Sequence, residues 1–242
     1  MRIIDAHRSL GPFPTGPGPG TAAELVADLD HLGIESAAVT PAWSLYADPR
    51  SAVEYEAHRT PEEWSSRLYR VPVVIPAVAG AGWPDSVDEV LGAPLVRACP
   101  QRHRFEVLGP TALRFWRALA DQGVPLALDA SECGLSAVGA LAAAVPNLRV
   151  LVLTPGYREL RRLTELLEQA PGVVVETGTI VSAGAIEWLA RTVGAHRLVF
   201  GTGAPQWDDA GPRFQLDHLD LPERDVELIA HGSWEQLTEA AA

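Results

Sequence analysis

The segment Arg2–Ser9 joins an apolar run to side chains that can transfer protons or hold anions. After two isoleucines it continues into Asp5, His7 and Arg8. Carboxylates and imidazoles are common general acids and bases, and arginine holds carboxylates and oxyanions. This order predicts a buried strand with chemistry at its C-terminal end, where parallel barrels carry their active sites.

Later segments place further polar side chains at the ends of apolar runs. Asp129 and Glu176 each end such a run, and with His7 they are the candidate catalytic residues. The candidate substrate-binding residues are cationic, hydroxyl and aromatic side chains near other strand ends. They are Arg8, Arg97, Arg102, His103, Trp43, Thr154, Thr202 and Trp207. This combination is typical of an acid–base site with anion-holding groups.

Several of these residues have a structural alternative that the sequence leaves open. Asp129 is either a catalytic acid or the partner of an arginine such as Arg97. Glu176 can equally pair with an arginine, and His7 with the backbone. Asp5 is expected to position a neighbour instead of reacting.

Loop residues near the predicted strand ends are ambiguous as well. The run Arg102–Arg104 is typical of a solvated loop, although it contains two candidate binding residues. Asp208 and Asp209 fit a solvent-facing turn better than a replacement acid. Aromatic loop residues serve either in core packing or as a flat wall for a ligand. The tryptophans concerned are Trp43, Trp83 and Trp207.

The elements that would position these residues alternate between strand-like and helix-like patterns. The expected strands are 2–9, 36–41, 71–78, 94–99, 124–129, 148–154, 172–177 and 196–202. Eight short apolar strands separated by helices predict an α/β fold, a (β/α)8 TIM barrel, formed as one domain by residues 1–242. A doubly wound open sheet is the weaker alternative, because no Gly-x-Gly-x-x-Gly turn follows a strand.

Helix signals support this alternation. Thr21 and Glu24 form a capping box at the start of the first helix, which Gly33 ends. An enlarged loop with helices at Ser51–His58 and Pro61–Leu68 is expected across the barrel mouth. The other expected helices are 85–91, 110–122, 136–144, 158–169, 182–193 and 222–241.

The composition bears on partners and location. The formal net charge is −12, and all 19 basic residues are arginines. Because no basic stripe is present, we expect no nucleic-acid partner. No apolar run approaches the roughly 18 residues needed to cross a bilayer, and the N-terminus has no leader pattern. We therefore expect a cytoplasmic protein with no membrane contact and a small-molecule substrate; a monomer and a homodimer both stay open.

Cysteine usage points to no special chemistry. Cys99 and Cys133 are too few for a disulfide framework or a zinc motif. We expect both to be small apolar fillers.

The chain resembles the amidohydrolase-related family, which also holds enzymes similar to aminocarboxymuconate semialdehyde decarboxylase. Ile4–His7 is similar to the opening of the family's Asp-x-His-x-His motif, and the resemblance covers nearly the whole chain. Leu25–Val39, Pro146–Leu148 and Ala195–Thr202 match other family segments in order and spacing. The resemblance implies a TIM barrel whose relatives hold a catalytic metal.

The chain departs from the family at the positions that hold this metal. Ser9 stands at the second histidine of the first motif, and Asp129 at the histidine of the fifth strand. Thr154 replaces the histidine of the sixth strand, and Gly203 replaces the metal-binding aspartate of the eighth. Near the C-terminus, Gly232–Trp234 replaces the family's Gly-Asn-Ala.

These departures predict a site without metal or other cofactor. A catalytic zinc commonly takes three protein ligands, and only His7 and Asp129 remain in place. The remaining groups suit metal-independent hydrolysis or lactone opening, cyclisation, dehydration or decarboxylation of a small carboxylated or carbonyl compound, in a biosynthetic pathway. One alternative is a metal-dependent hydrolase in which Glu176 completes a rearranged site. The other is a catalytically inactive binding or partner protein of the same fold.

Overall fold

The computed structural model of the chain describes residues 1–11, 13, 18–52 and 65–239. Its strands are β1 (Ile4–Leu10), β2 (Ser36–Pro41), β3 (Leu68–Arg70), β4 (Ile75–Val78), β5 (Ala81–Trp83), β6 (Val96–Ala98), β7 (Leu126–Asp129), β8 (Val150–Leu153), β9 (Val173–Glu176) and β10 (Leu198–Val199). Its α-helices are Ala22–Leu32, Ala42–Tyr46, Pro110–Asp121, Ala130–Cys133, Leu135–Ala144, Leu160–Gln169, Ala185–Val193, Ala210–Asp217, Glu223–Glu227 and Ser233–Thr238.

Two parallel sheets close on each other as a barrel. One has the order β1-β2-β3, and the other has the order β10-β9-β8-β7-β6. The Arg8–Ala204 bridge joins the first strand to the segment after β10, and the Val73–Arg97 bridge joins the segment after β3 to β6. The predicted (β/α)8 barrel is confirmed by this closure.

The third predicted strand, 71–78, is wrong in its bounds. The barrel strand begins at Leu68, and the chain leaves it after the Val73–Arg97 bridge. Residues 75–78 pair antiparallel with Ala81–Trp83 in a separate hairpin. Pro72 and Pro76 carry no N–H donor, so this run cannot supply a continuous barrel ladder. The helix predicted at Pro61–Leu68 fails at Leu68, and its residues 61–64 lie outside the described part of the chain.

The helices follow their sequence signals closely. Thr21 Oγ1 accepts from the Glu24 backbone N–H, and the Glu24 carboxylate accepts from Thr21 N, as the capping box predicts. The helix predicted at 85–91 is a 3-10 turn, Val87–Val90. The helix Ala210–Asp217 was not predicted, and most of the helix predicted at Ser51–His58 lies outside the described residues. Among the described residues, no helix is long and apolar enough to cross a membrane.

Alternate strand residues pack into two layers. One layer, which we call the interior cluster, takes buried or partly buried residues from seven barrel strands and from Leu95 just before β6, and it is completed by Trp234 and Leu237. Its members in the strands, or next to a strand end, include Ile4, Ala6, Ala38, Tyr69, Val71, Leu95, Ala127, Leu151, Val174 and Val199. The residues between them, such as Val39 and Val150, pack against the helices. Side chains alternate along a strand, so a residue two positions after a member of the interior cluster also points into the barrel.

Candidate active site

Three predicted site residues point into the barrel from the C-terminal ends of their strands. Each stands two positions after a member of the interior cluster, on the same face of its strand. They are Arg97, Asp129 and Glu176, and all three are buried. The barrel interior therefore carries one cation and two acids at this end.

A β-bulge in β1 decides where His7 points. Asp5 is paired with Ala37 and Arg8 with Val39, so β1 has one residue more than β2 between these pairs. A bulge of this kind re-aims the side chains that follow it. His7 consequently faces the interior, although it is one residue out of step with the cluster members Ile4 and Ala6.

The same bulge places Arg8 on the opposite side of the strand. Arg8 is in register with Val39, which packs against the helices. Its Nε lies 3.1 Å from Asp5 Oδ2, and its Nη1 donates to Asp209 Oδ2 at 2.8 Å. Arg8 is thus held between two carboxylates behind the wall of the barrel. Asp209 is not confined to a solvent-facing turn, contrary to our expectation.

Asp5 organises the backbone around His7, as expected of a positioning residue. Its Oδ1 accepts the N–H groups of His7 and Thr202, both at 3.0 Å. Its Oδ2 accepts the hydroxyl of Thr202 at 2.7 Å. Burial raises the pKa of Asp5, while Arg8 and these hydrogen bonds oppose the shift. Thr202 is therefore engaged behind the strands, on the side away from the interior.

Glu176 is the partner of His7 instead of the partner of an arginine. His7 Nδ1 lies 3.0 Å from Glu176 Oε2, and the same oxygen accepts from Thr154 N at 2.9 Å. Glu176 Oε1 accepts from Gly178 N at 3.0 Å. Because both oxygens of the Glu176 carboxylate accept hydrogen bonds, the proton shared with His7 belongs to His7 Nδ1. His7 Nε2 then carries a free lone pair. This Nε2 is buried, and it has no hydrogen-bond partner within the described residues.

A glycine makes this contact possible. A Cβ on Gly201 would stand 2.6 Å from Glu176 Cγ and 3.3 Å from His7 Cβ. Any side chain at this interior-facing position would push the imidazole and the carboxylate apart.

Thr154 connects the two acids of the interior. Its backbone is left-handed, with φ of 50°, which is unusual for a β-branched residue and costs conformational energy. In this conformation its N–H reaches Glu176, and its hydroxyl donates to Asp129 Oδ2 at 3.0 Å. Strained backbone is retained where the surrounding structure uses it, as this bridge does.

Asp129 and Arg97 form a loose pair. Asp129 Oδ1 accepts from the N–H and the hydroxyl of Ser131, at 2.8 and 2.7 Å. Its Oδ2 lies 3.7 Å from Arg97 Nη2. Arg97 is 2% exposed, and its Nε and Nη1 find no hydrogen-bond partner in the described part of the chain. A buried guanidinium with unused donors is suited to hold an anion.

The remaining predicted residues lie above the strand ends. Trp43 and Trp207 are exposed, whereas Trp83 is buried in the core, so the packing alternative holds for Trp83. Trp207 lies near His7 on either side of Gly203. If Gly203 carried a Cβ, that atom would lie 2.7 Å from Trp207 Cδ1 and 3.3 Å from His7 Nδ1.

Arg102 and His103 differ within one turn. Arg102 is exposed, and its guanidinium lies 4.8 Å from the centre of the Tyr46 ring. His103 is half-buried, and both of its ring nitrogens are buried. Arg102 is exposed as a solvated loop predicts, but Tyr46 and the Glu132 carboxylate, which accepts from Arg102 N at 2.8 Å, hold it in place. The solvated-loop interpretation does not fit His103.

The comparison with protein families decides the affiliation of the chain. The family model described as Amidohydrolase matches residues 3–233. The chain belongs to the amidohydrolase family. The resemblance inferred from the sequence is therefore confirmed, and a comparison with curated proteins found no match.

Solved structures of the same architecture agree with this affiliation. Amidohydrolase 2 from Bifidobacterium longum subsp. infantis superimposes with a TM-score of 0.72 at 16% identity, over 99% of each chain. For 5-carboxyvanillate decarboxylase from Sphingomonas paucimobilis the TM-score is 0.71 at 11% identity, covering 98% of this chain and 99% of that one. For 2,6-dihydroxybenzoate decarboxylase from Rhizobium it is 0.71 at 14% identity, covering 100% and 99%. At these identities the likeness shows the fold.

The donor side chains of this chain do not fit the metal site that the resemblance implies. Glu176 binds the Nδ1 side of His7, so it cannot share an ion with Nε2 on the opposite edge of the ring. Both oxygens of Asp129 accept hydrogen bonds, and Arg97 places a positive charge beside them. Among the described residues, no three His, Cys, Asp or Glu side chains are grouped as ligands. Gly203, at φ of 72°, offers no side chain.

Sequence reasoning missed residues that complete this site. Ser131 follows Asp129 by two positions, a spacing at which an aspartate commonly accepts from the backbone and side chain at the start of a helix. That signal was present in the sequence. Tyr46 and Gln206 carried no local signal, because their partners lie on distant loops, and for Asp209, which the sequence did single out, its partner Arg8 could not be foreseen for the same reason.

Proposed function

We propose that this amidohydrolase-family chain catalyses a metal-independent acid–base reaction on a small carboxylated or carbonyl compound. The observation that carries the proposal is the state of His7. Glu176 holds its Nδ1, and its Nε2 is buried and has no hydrogen-bond partner among the described residues. An imidazole oriented in this way by a carboxylate is a general base at its free nitrogen.

In this proposal His7 removes the proton, and Glu176 is a positioning residue. Nε2 takes a proton from water or from the substrate, and Glu176 stabilises the imidazolium that forms. Glu176 is completely buried and bonded on both oxygens, so it has no access to a substrate. The same His7 returns the proton later in the cycle as a general acid.

Arg97 holds the substrate's carboxylate in this proposal. It is interior-facing, and its nearest acid, Asp129, stays 3.7 Å away. A substrate carboxylate can accept charge-assisted hydrogen bonds from Nε or Nη1, which described residues leave unused. Asp129 then orients the guanidinium from the side, together with Thr154 and Ser131.

Among the reactions open to such a site, the geometry favours those that begin with removal of a proton. They are hydrolysis, including lactone opening, cyclisation and dehydration. In a decarboxylation, the departing carboxylate loses its negative charge as it becomes CO2. A cation bound to it therefore stabilises the reactant more than the transition state. Decarboxylation fits only if the group that leaves is not the one on Arg97. The names of two similar structures, both decarboxylases of small carboxylated aromatics, keep that reaction as the second candidate.

The test compares variants in a reaction screen that does not need a known product. The protein is incubated in D2O with small lactones and carbonyl acids, and proton NMR follows hydrolysis and C–H exchange. We expect His7→Gln to lose turnover by at least about 100-fold with little change in melting temperature. Glu176→Gln should lose less turnover per folded molecule, and its melting temperature should fall because the amide cannot accept all three hydrogen bonds that Glu176 accepts. His231→Gln is the control, at a half-buried histidine whose Nδ1 also contacts a glutamate, Glu235, but which is not among the candidate site residues. Full activity of His7→Gln would overturn the proposal.

Metal independence has its own test. Protein purified without chelator is analysed for bound metals, and turnover is measured before and after dialysis against a strong chelator. We expect far less than one metal per chain and unchanged turnover. Stoichiometric zinc or manganese that turnover requires would contradict the proposal. Binding of a carboxylate with no turnover of any compound would favour the inactive binding protein.

A further inference from the structure

Ser9 and Thr40 point into the barrel at the C-terminal ends of β1 and β2. The two residues are register partners in the parallel pairing of these strands, so their side chains lie on the same face of the sheet. Thr40 stands two positions after Ala38, a member of the interior cluster, and this face is therefore the interior one. Ser9 in turn stands two positions after His7. Both hydroxyls thus belong to the same interior surface as the proposed base.

The side-chain oxygens of Ser9 and Thr40 have no partner within the described part of the chain. Ser9 is 2% exposed and Thr40 is 3% exposed, yet neither hydroxyl makes a hydrogen bond to a described residue. Both oxygens still touch accessible space, because neither is among the fully enclosed side-chain atoms that lack a partner. Native proteins pair nearly all of their buried polar groups. A nearly buried hydroxyl that is unpaired but reachable is therefore suited to a ligand.

Hydroxyls at two other strand ends are engaged by carboxylates. Thr154 donates to Asp129 Oδ2 at 3.0 Å, and Thr202 donates to Asp5 Oδ2 at 2.7 Å. These two hydroxyls act within the protein, where they orient acids. The hydroxyls at the ends of β1 and β2 have no such acceptor among the described residues, so each keeps its O–H donor for an oxygen that arrives with a ligand.

The spacing of the strands lets both hydroxyls reach one ligand atom. Neighbouring strands lie about 4.8 Å apart, so two register partners on one face can converge on a single oxygen. Along β1, Ser9 lies roughly 6–7 Å beyond His7 towards the barrel mouth, since each strand residue adds about 3.3 Å. A carbonyl oxygen on the two hydroxyls therefore leaves the adjacent C–H, or a water that attacks the carbonyl, on the side of His7.

We propose that Ser9 and Thr40 together donate hydrogen bonds to the carbonyl oxygen of the substrate. This inference rests on the proposed function and narrows the substrate class to small acids that also carry a carbonyl beside the reacting atom, such as oxo acids or lactone acids. When His7 Nε2 takes a proton from carbon or from an attacking water, the electron pair moves onto the carbonyl oxygen, and the two hydroxyls stabilise the charge there. No covalent bond to either hydroxyl forms or breaks.

The first test measures the carbonyl stretch of bound pyruvate, a small probe that has both a carboxylate and a carbonyl. Pyruvate labelled with 13C at its carbonyl is bound to wild-type protein and to variants, and infrared difference spectra report the labelled stretch. Because hydrogen bonds lower this frequency, we expect it to rise in Ser9→Ala and in Thr40→Val, and to rise most in the double variant. Ser36→Ala is the matched control and should leave the frequency unchanged. Ser36 lies on the same face of β2 at its N-terminal end, and its buried hydroxyl also lacks a described partner.

The outcomes separate this inference from the proposed function. Pyruvate binding that is lost in Arg97→Met, with the same carbonyl frequency in wild-type protein and in the double variant, overturns the role of the hydroxyls and leaves the proposed function standing. If wild-type protein binds no pyruvate, or Arg97→Met binds it equally well, the proposed carboxylate site is overturned and this inference with it.

The second test compares turnover with stability, on the compound turned over in the NMR screen. We expect Ser9→Ala and Thr40→Val each to lower kcat about 10-fold or more with nearly unchanged KM, since the donors act on charge that develops in the transition state. Neither melting temperature should fall, because an apolar side chain of similar shape replaces an unpaired hydroxyl. Thr40→Ser keeps the hydroxyl and should retain most of the wild-type kcat. Equal losses of kcat in Thr40→Val and Thr40→Ser, accompanied by a lower melting temperature, would show a packing role and overturn the inference.

Mass spectrometry distinguishes a hydrogen-bond donor from a nucleophile. Wild-type protein is quenched with acid during turnover of the same compound, and the mass of the intact chain is measured. We expect the mass of the unmodified chain, since no covalent bond to Ser9 forms. A substrate-derived adduct on Ser9 would make its oxygen a nucleophile and overturn its role as a donor.

Discussion

The two ends of the barrel bury arginine side chains in opposite ways. At the N-terminal end, Arg197 donates to the carbonyls of Leu167, Ala170 and Val173 at 3.0, 2.6 and 2.9 Å. At the C-terminal end, Arg97 is equally buried, and its nearest acid is 3.7 Å from Nη2. Both are guanidinium groups removed from water, but only the first uses its donors within the described structure.

This difference separates an arginine that stabilises the fold from one that, in our proposal, binds an anion. Arg197 satisfies carbonyls near the end of one helix and the start of a strand, groups that the helix itself leaves unpaired. Arg149 does the same for the carbonyls of Gly123 and Leu237. Arg97 donates to no carbonyl of the described residues, and Asp129, 3.7 Å away, offsets only part of the cost of removing it from water. In our proposal a substrate anion offsets the rest. In barrels of this kind, residues at the N-terminal end serve stability and those at the C-terminal end serve chemistry.

The largest expected effect is on stability at the N-terminal end. Arg197→Met removes the donors of three buried carbonyls, so we expect the free energy of unfolding to fall by about 3 kcal/mol or more. Urea denaturation measures this change, and turnover per folded molecule should stay at the wild-type value. Arg162→Met, at an exposed arginine, is the control. A stability loss no larger than that of the control would remove the contrast between the two ends.

A smaller effect, on affinity instead of stability, is expected at the other end. Arg97→Met should weaken pyruvate binding about 10- to 100-fold, because charge-assisted hydrogen bonds contribute about 1.5–3 kcal/mol. Its free energy of unfolding should change by less than about 1 kcal/mol, since an apolar side chain replaces a loosely paired charge. Calorimetric titration and urea denaturation give the two values. If Arg97→Met unfolds as easily as Arg197→Met, Arg97 is a structural residue.

The smallest expected effect concerns the bridge between the two acids. Thr154→Val removes the hydroxyl that Asp129 accepts and should cost about 1 kcal/mol of unfolding free energy, with a rise in KM as the Asp129 carboxylate loses its orientation. Thr154→Ser keeps the hydroxyl and should match wild-type KM. A steady-state comparison of the two variants isolates the hydroxyl from the strained backbone. Equal KM values for Thr154→Val and Thr154→Ser would show that the Thr154 hydroxyl does not orient Asp129 and, through it, Arg97.

Much of this architecture could be predicted from the sequence because its signals are local. Apolar runs, the Thr21 capping box and the helix at Pro110–Asp121 depend on neighbouring residues and were recognised. The third strand was misplaced because the run 71–78 has strand composition throughout but prolines that interrupt pairing. The helix Ala210–Asp217 was missed because its glycine and proline weaken the helical pattern.

The sequence by itself determined the alternation of strands and helices and the polar residue types at the strand ends, since a period of two or 3.6 residues is set by consecutive positions. Only the tertiary structure decided which of those residues meet. The bulge that turns His7 inward and Arg8 outward exists only relative to the register of β2. The contact of His7 with Glu176 joins residues 169 positions apart, and such a pairing depends on barrel closure, which no local pattern encodes.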